Sequence, residues 1–275
     1  MLYGLMRSRS FHNAVPLGAI SVAAHLREAG HQVQVVDAPA LDIDLLGVCA
    51  EVNRFAPDVI GISSTSVIWR STERLAPMLK ERFGVPIVVG GPHASTYPEH
   101  CLDNPCIDIA VFGEGEETSV ELFGRLAAGE SLEGVCGVAW KEDGHFRKND
   151  DRISKGRLDD APLPAYDLLE LERYSAPPMR VRQTPALYME LFRGCAYARC
   201  SYCTSASSLK NRFRRHSPAV AADKVNTLHL KYGAREIAFV DDDFVVGKDW
   251  IYNFCDELRK RGNPVSWTCY VRASQ

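Results

Sequence analysis

PDVIGISSTSVIWRSTERLAPMLKERFGVPIVVGGPHAS, Pro57 to Ser95, is the stretch that decides the fold. A short apolar run (Val59 to Ile62) passes into small hydroxyl residues. An amphipathic stretch (Trp69 to Phe83) follows, then a glycine and a second apolar run (Ile87 to Val89) that ends on Gly90-Gly91. Short runs that are apolar throughout suit strands covered on both faces, and the longer amphipathic stretch suits a helix lying on the sheet. The segment therefore reads as strand, helix, parallel strand.

The same alternation extends in both directions. It predicts helices at Leu17 to Ala29, Asp42 to Phe55 and Glu116 to Ala127. It predicts strands at Gln32 to Val36 and Ile107 to Phe112, with a short first strand at Leu2 to Leu5. Cys136 to Lys148 changes period: alternating residues about a turn at Asp143-Gly144 predict a hairpin closing the first unit. Pro162, Pro164, Pro177 and Pro178 mark Leu158 to Thr184 as an exposed connector. Beyond it come a strand (Ala186 to Phe192), a cysteine loop, a helix (Pro218 to Tyr232), a strand (Glu236 to Val240), a helix (Lys248 to Arg261) and a strand (Val265 to Val271). The expected division is a first α/β domain over 1–130, a hairpin and linker over 131–184, and a second α/β domain over 185–275.

Bulk properties narrow the function. The chain has 275 residues, 32 basic against 35 acidic, so no global field favours nucleic acid or an anionic membrane. Met1 to Ser10 has no secretory signal pattern, and no apolar run approaches membrane-spanning length, so a cytoplasmic protein is expected. Nine cysteines in a reducing compartment read as metal ligands or free thiols before they read as disulfides.

RGCAYARCSYC, Arg193 to Cys203, gathers three of them in a loop directly after a strand, where α/β folds carry their reactive groups. Cys200 and Cys203 have the spacing at which one loop aims two sulfurs at a common metal, and Cys195 adds a third. An iron-sulfur cluster is favoured over a structural zinc, which would recruit His216, because no second ligand pair is evident. Asp241, Asp242 and Asp243 end the next strand, where adjacent carboxylates repel unless paired or hydrogen-bonded; a solvated strand end is the plain alternative. Lys210, Arg212, Arg214 and Arg215 form a basic run that usually faces solvent. In the first domain, GISSTS, VVGGPHAS and GEGE end three successive strands on one sheet edge. Their small residues let backbone approach a bulky ligand, although no GxGxxG opens a helix. Of the remaining cysteines, Cys49, Cys136, Cys255 and Cys269 read as core, and Cys101 and Cys106 as free thiols at a turn.

RGCAYARCSYC, NRFRRHSPAV and IAFVDDDF together resemble the radical S-adenosylmethionine superfamily. The resemblance implies that Cys195, Cys200 and Cys203 bind a [4Fe-4S] cluster whose open iron chelates S-adenosylmethionine, and that reductive cleavage yields a 5'-deoxyadenosyl radical. It further implies that Tyr202 packs the adenine, that Asp241 or Asp242 accepts from the ammonium or ribose, and that Arg272 meets the carboxylate or ribose. The family usually has three residues between the first two cysteines. Here Ala196 to Arg199 make four, an extra residue that a loop absorbs as a bulge.

PLGAISVAAHLREAGHQVQVVD, PDVIGISSTS, VVGGPHAS and FGEGEET resemble the cobalamin-binding domain of one large class in that superfamily. The fold so implied is an N-terminal Rossmann-like doubly wound parallel sheet followed by the first half of a radical-SAM (β/α) partial barrel. Ser63, Ser64, Thr65, Gly90, Gly91, His93, Gly113 and Gly115 are the cobalamin contacts this implies; the alternative for His93 is a polar surface residue. The DxHxxG motif that supplies a lower cobalt ligand elsewhere is absent, since His12 lacks its aspartate and glycine. The expected activity is methylation of an unactivated carbon of a small-molecule or natural-product substrate, with electrons from a flavodoxin or ferredoxin. Ring formation or rearrangement is the alternative chemistry. Another expectation is a non-catalytic unit or an incomplete piece, because the stretch after Ala186 has room for three strands where the family's barrel uses six βα units. The last strand would then keep an unpaired edge, and the natural protein would continue past Gln275.

Overall fold

The computed structural model describes residues 2–3, 14–154, 156–174, 181–203, 213–262 and 265–273. Leu5, His12, Pro177, Pro178, Lys210 and Arg212, named above, lie outside the described residues. The chain forms two compact units, Met1–Arg9 with Gly18–Ser154 and Pro164–Glu170 in one, and Ser10–Leu17 with Lys155–Leu163 and Leu171–Gln275 in the other.

The first unit is built on strands β1 (Leu2–Tyr3), β2 (Val36–Asp37), β3 (Ile60–Ser63), β4 (Ile87–Gly90), β5 (Ile109–Val111), β6 (Val138–Glu142) and β7 (His145–Lys148). They lie in the order β2-β1-β3-β4-β5-β6-β7. The pairs from β2 through β5 are parallel, while β6 and β7 are antiparallel and extend the sheet from β5. The strand order reverses between β1 and β3, and in open parallel sheets that reversal opens a crevice at the strands' C-terminal ends. Ile60, Ile62, Ile87 and Val89 pack in one buried cluster, and Val88, Ile109 and Val111 in another. Two separate clusters on neighbouring strands mark a sheet covered on both faces, as the uniformly apolar runs predict.

Helix α1 (Leu17–Glu28) precedes β2, which leads through α2 (Ala38–Leu41) into α3 (Leu45–Phe55). The expected helix from Asp42 is corrected: Asp37 and Asp44 each cap a helix by accepting a backbone N–H, and Asp42 sits in the left-handed conformation between them. The strand expected over Gln32 to Val36 is also shorter, since only its last residue enters the ladder. Gln32, Val33 and Gln34 instead line a cavity of about 720 Å³ at the N-terminal ends of the strands. Helix α4 (Trp69–Phe83) contains Pro77, which cannot donate to the Glu73 carbonyl; Asn104 Nδ2 donates to that oxygen at 3.2 Å. Two short helices, α5 (Pro92–Thr96) and α6 (Pro98–Leu102), lead to β5, and α7 (Gly115–Ala128) follows it. Cys101 of α6 is fully buried rather than a thiol at an open turn, and burial pushes that thiol up to about 12.

The second unit has a parallel sheet of β8 (Ala186–Met189), β11 (Glu236–Phe239) and β12 (Ser266–Thr268) in the order β12-β11-β8. Its helices are α8 (Pro218–Tyr232) and α9 (Lys248–Lys260). Ser217 caps α8 ahead of Pro218, and Gly233 ends it at φ 68°, so both boundaries fall where the sequence punctuates them. Phe239, Phe244 and Phe254 are fully buried and form one aromatic cluster with Trp250 and Trp267, with ring separations of 4.7 to 6.3 Å. The strand expected over Ala186 to Phe192 breaks after Met189. Phe192–Arg193 (β9) pairs antiparallel with Arg214–Arg215 (β10), closing the base of the cysteine loop. The proline-marked connector is not uniformly exposed: Ala165 and Tyr166 are buried, and Ala165 N–H donates to the Ile20 carbonyl at 3.0 Å. No helix among the described residues is long and apolar enough to cross a membrane.

Candidate functional site

In the first unit the three small-residue loops meet at the C-terminal edge of the sheet. Ser64 N–H donates to the Gly90 carbonyl at 2.9 Å, and His93 N–H donates to the Ser64 carbonyl at 3.1 Å. Ser95 Oγ donates to the Gly91 carbonyl at 3.0 Å and accepts from Gly113 N–H at 3.0 Å, which ties the loop after β4 to the loop after β5. Sequence reasoning passed over Ser95; its only signal is a hydroxyl in the first turn of a helix that starts at a glycine loop.

The expected cofactor contacts divide by exposure. Ser63, Thr65, Gly90, Gly91, Gly113 and Gly115 are partly exposed on this edge. Ser64 and His93 are buried instead. The Ser64 side chain is fully buried and its hydroxyl accepts from Thr72 Oγ1 at 2.9 Å, so it braces the loop from within. His93 is buried, stacked on Trp69 at 4.3 Å, with Nδ1 at 3.0 Å from Ser66 Oγ and Nε2 at 3.1 Å from His100 Nδ1. Burial and the neighbouring His100 hold its pKa below the usual value, against the influence of Glu73. Gly91 also has an internal reason: at φ 94° an added Cβ would stand 2.8 Å from the Ser64 carbonyl oxygen. Gly113, at φ 75°, faces open space. What the edge offers a ligand is thus backbone and small hydroxyls beside the strand-order reversal.

In the second unit Cys195, Cys200 and Cys203 are free thiols, each partly exposed, on the loop that β9 and β10 close. Cys203 N–H donates to the Cys200 carbonyl at 3.2 Å, so these two sulfurs leave one turn. Gly194 has φ 77° and Ala198 φ 41°, and the second of these bends falls inside the four-residue gap between Cys195 and Cys200. Among the described residues, no three His, Cys, Asp or Glu side chains converge as ligands of a single metal ion. His216, the residue a zinc site would recruit, is buried with Nδ1 at 3.2 Å from Asp159 Oδ1. Burial, together with the charge of Lys224, pulls His216 down to about 4.

The three aspartates separate by direction. Asp241 is buried, and its Oδ1 accepts from Leu191 N–H at 2.8 Å and Phe192 N–H at 2.6 Å. It therefore fixes the backbone leading into the cysteine loop. Burial, reinforced by Glu190, raises it to about 7 despite those bonds. Asp242 is exposed and is the acid of this pair that a ligand can reach. Asp243 is buried and accepts from Arg272 Nε at 2.7 Å; the Arg272 guanidinium also lies 4.2 Å from the Tyr197 ring centroid. The expected ligand contact by Arg272 is thus replaced in part by contacts within the protein. Tyr202 is 88% exposed, an open aromatic face beside two of the cysteines. Hydrogen bonding to Cys200, and the charge there, push its phenol up.

Residues 6–123 match the family described as B12 binding domain. The chain is 33% identical over 263 residues to the uncharacterized methyltransferase PH0819 of Pyrococcus horikoshii, covering 94% of this chain and 55% of that protein. It is 28% identical over 251 residues to the anaerobic magnesium-protoporphyrin IX monomethyl ester cyclase of Synechocystis, covering 88% and 48%. Among solved structures, the cobalamin-dependent S-adenosylmethionine radical enzyme OxsB, with aqua-cobalamin and S-adenosylmethionine bound, superposes with a TM-score of 0.82. The likeness is at 21% identity and spans 97% of this chain and 37% of that one. The chain spans about half the length of the curated relatives it matches. The second unit, a parallel α/β sheet with a three-cysteine loop beside a strand end, is similar in fold to that radical S-adenosylmethionine enzyme. Residues 6–123 carry the B12 binding match, and the chain as a whole is similar to proteins that combine such a domain with a radical S-adenosylmethionine unit.

Proposed function

We propose that this chain is the cofactor-holding part of a cobalamin-dependent radical S-adenosylmethionine enzyme that methylates an unactivated carbon of a small molecule. The observation that carries the reading is the cysteine loop. Three free thiols stand on one short segment at the C-terminal end of a parallel strand, and Asp241 pins the segment's entrance through two backbone amides. Cys195, Cys200 and Cys203 would hold a [4Fe-4S] cluster. Asp242 and Tyr202 are the exposed groups beside it that would meet S-adenosylmethionine. Ser63, Thr65, Gly90, Gly91, Gly113 and Gly115 would line the cobalamin. When bound, these cofactors supply radical generation and methyl transfer; the chain's own residues hold, orient and shield them. An external one-electron donor such as a flavodoxin or ferredoxin is required by that chemistry. The likeness to a ring-forming cyclase supports a second reading, in which the same cofactors close a ring.

The test is anaerobic reconstitution with iron and sulfide, followed by metal analysis and absorption spectra with and without cobalamin. Iron and sulfide bound in the ratio of a cubane, lost in Cys195→Ala, Cys200→Ala and Cys203→Ala, is the expected result. Zinc bound in place of iron would overturn the mechanism.

A further inference from the structure

The geometry points to Arg272 and Tyr197 as a clamp that holds the cysteine loop in shape, with Arg272 a positioning residue rather than a ligand contact. The inference rests on the proposed cluster at Cys195, Cys200 and Cys203. Between the first two of these, Ala198 takes φ 41°, a conformation disfavoured for any residue with a Cβ. A loop bent this way reverts unless its surroundings hold it. Tyr197, the residue just before the bend, is 38% exposed, and apart from Arg272 its ring is met by the Arg199 guanidinium at 5.9 Å.

The hold comes from the opposite edge of the sheet. Arg272 follows β12 and lays its guanidinium 4.2 Å from the Tyr197 ring centroid. Its Nε donates at 2.7 Å to Asp243, which follows the central strand β11 and whose side chain is 1% exposed. A buried carboxylate is a fixed anchor. It orients the planar guanidinium, and a guanidinium already oriented loses little entropy when it stacks on an aromatic face. Tyr197, Asp243 and Arg272 thus form a line across the C-terminal ends of all three strands, ending at the bend between Cys195 and Cys200. Lysine could not reproduce the paired stack and ion pair from one planar group.

The test uses the full chain and two readouts: amide hydrogen exchange of residues 194–203 without metal, and iron bound per chain after anaerobic reconstitution. Arg272→Met and Tyr197→Leu are expected to exchange about tenfold faster in the loop, as loss of a stacked ion pair opens a local unit. Exchange in β11 should be unchanged, which separates loop release from unfolding. Both variants should bind less than about half the wild-type iron. Tyr197→Phe keeps the ring face and should restore both readouts, whereas Tyr197→Leu keeps apolar bulk without that face and should not. Wild-type exchange in Arg272→Met, or Tyr197→Phe as fast as Tyr197→Leu, overturns the clamp. So does an Arg272→Met chain that takes up full iron and loses only S-adenosylmethionine binding. A wild-type chain that binds no iron removes the cluster reading and this inference with it; normal iron in Arg272→Met removes this inference alone.

Discussion

Asp241 grips the backbone of Phe192: its Oδ1 accepts the Phe192 N–H at 2.6 Å, on a carboxylate that is almost wholly buried. The same oxygen takes the Leu191 N–H at 2.8 Å. Asp241→Ala removes that acceptor and leaves two buried amides unpaired, so it should cost about 2 to 4 kcal/mol of stability. Asp241→Asn keeps Oδ1 and should cost less. Its distinguishing effect is on pH. The folded chain holds the Asp241 proton at about 7 against 3.8 for the ordinary group, so the stabilisation from protonation is complete below pH 3.8 and fades as pH rises to about 7. Asp241→Asn should abolish that slope, as read from urea unfolding at several pH values.

His216 contributes the opposite slope in the same unit. Its pKa falls from 6.5 to about 4, so the unfolded chain takes the proton first and stability is lost as pH falls from 6.5 towards 4. Between those values the two groups offset one another. Removing one should expose the other: His216→Gln should leave a chain that gains stability steadily towards acid, and Asp241→Asn one that loses it. Parallel slopes in the two variants would contradict both assignments.

Gly91→Ala should destabilise the cofactor-free chain by about 2 to 4 kcal/mol, through a left-handed backbone and overpacking against backbone. The cause is the Ser64 carbonyl oxygen, 2.8 Å from the new Cβ. Gly113→Ala carries the backbone penalty alone, about 1 to 2 kcal/mol, because nothing lies within 4 Å of its new Cβ. Thermal unfolding without cobalamin ranks the two, and cobalamin titration of Gly113→Ala then reads the ligand's own need for space.

The fold was legible where one period ruled a whole segment. Trp69 to Phe83 reads as helix despite Pro77, because its buried face, Thr72, Leu75, Ala76 and Leu79, keeps helical spacing. The rescue of the orphaned Glu73 carbonyl by Asn104, 31 residues away in sequence, leaves no local trace. Gln32 to Val36, one of the short apolar runs, reads as a strand, yet among the described residues only Val36 of it pairs, with Leu2 of β1. The three cysteines were legible from spacing alone as free thiols grouped on one loop after a strand. The inward turn of Asp241, the burial of Ser64 and His93, and the clasp made by Ser95 were not. Each depends on a partner brought up by another strand, and a row of three aspartates or a loop histidine reads the same whichever way it points.

His93 offers a test that separates burial from charge within the first unit. Its pKa is lowered first by desolvation and next by His100, whose Nδ1 lies 3.1 Å from its Nε2, while Glu73 acts in the other direction. His100→Gln removes a positive neighbour and should move the His93 pKa up, toward the usual value. Glu73→Gln removes a negative one and should move it further down. Both are measured by following the imidazole proton resonances through a pH titration. Because the folded pKa lies below 6.5, the stability that His93 contributes is present above 6.5 and lost as pH falls, so His100→Gln should reduce that acid loss. A pKa unmoved by either substitution would mean that enclosure against Trp69 alone sets the histidine's charge state, and that His100 and Glu73 act only as packing around it.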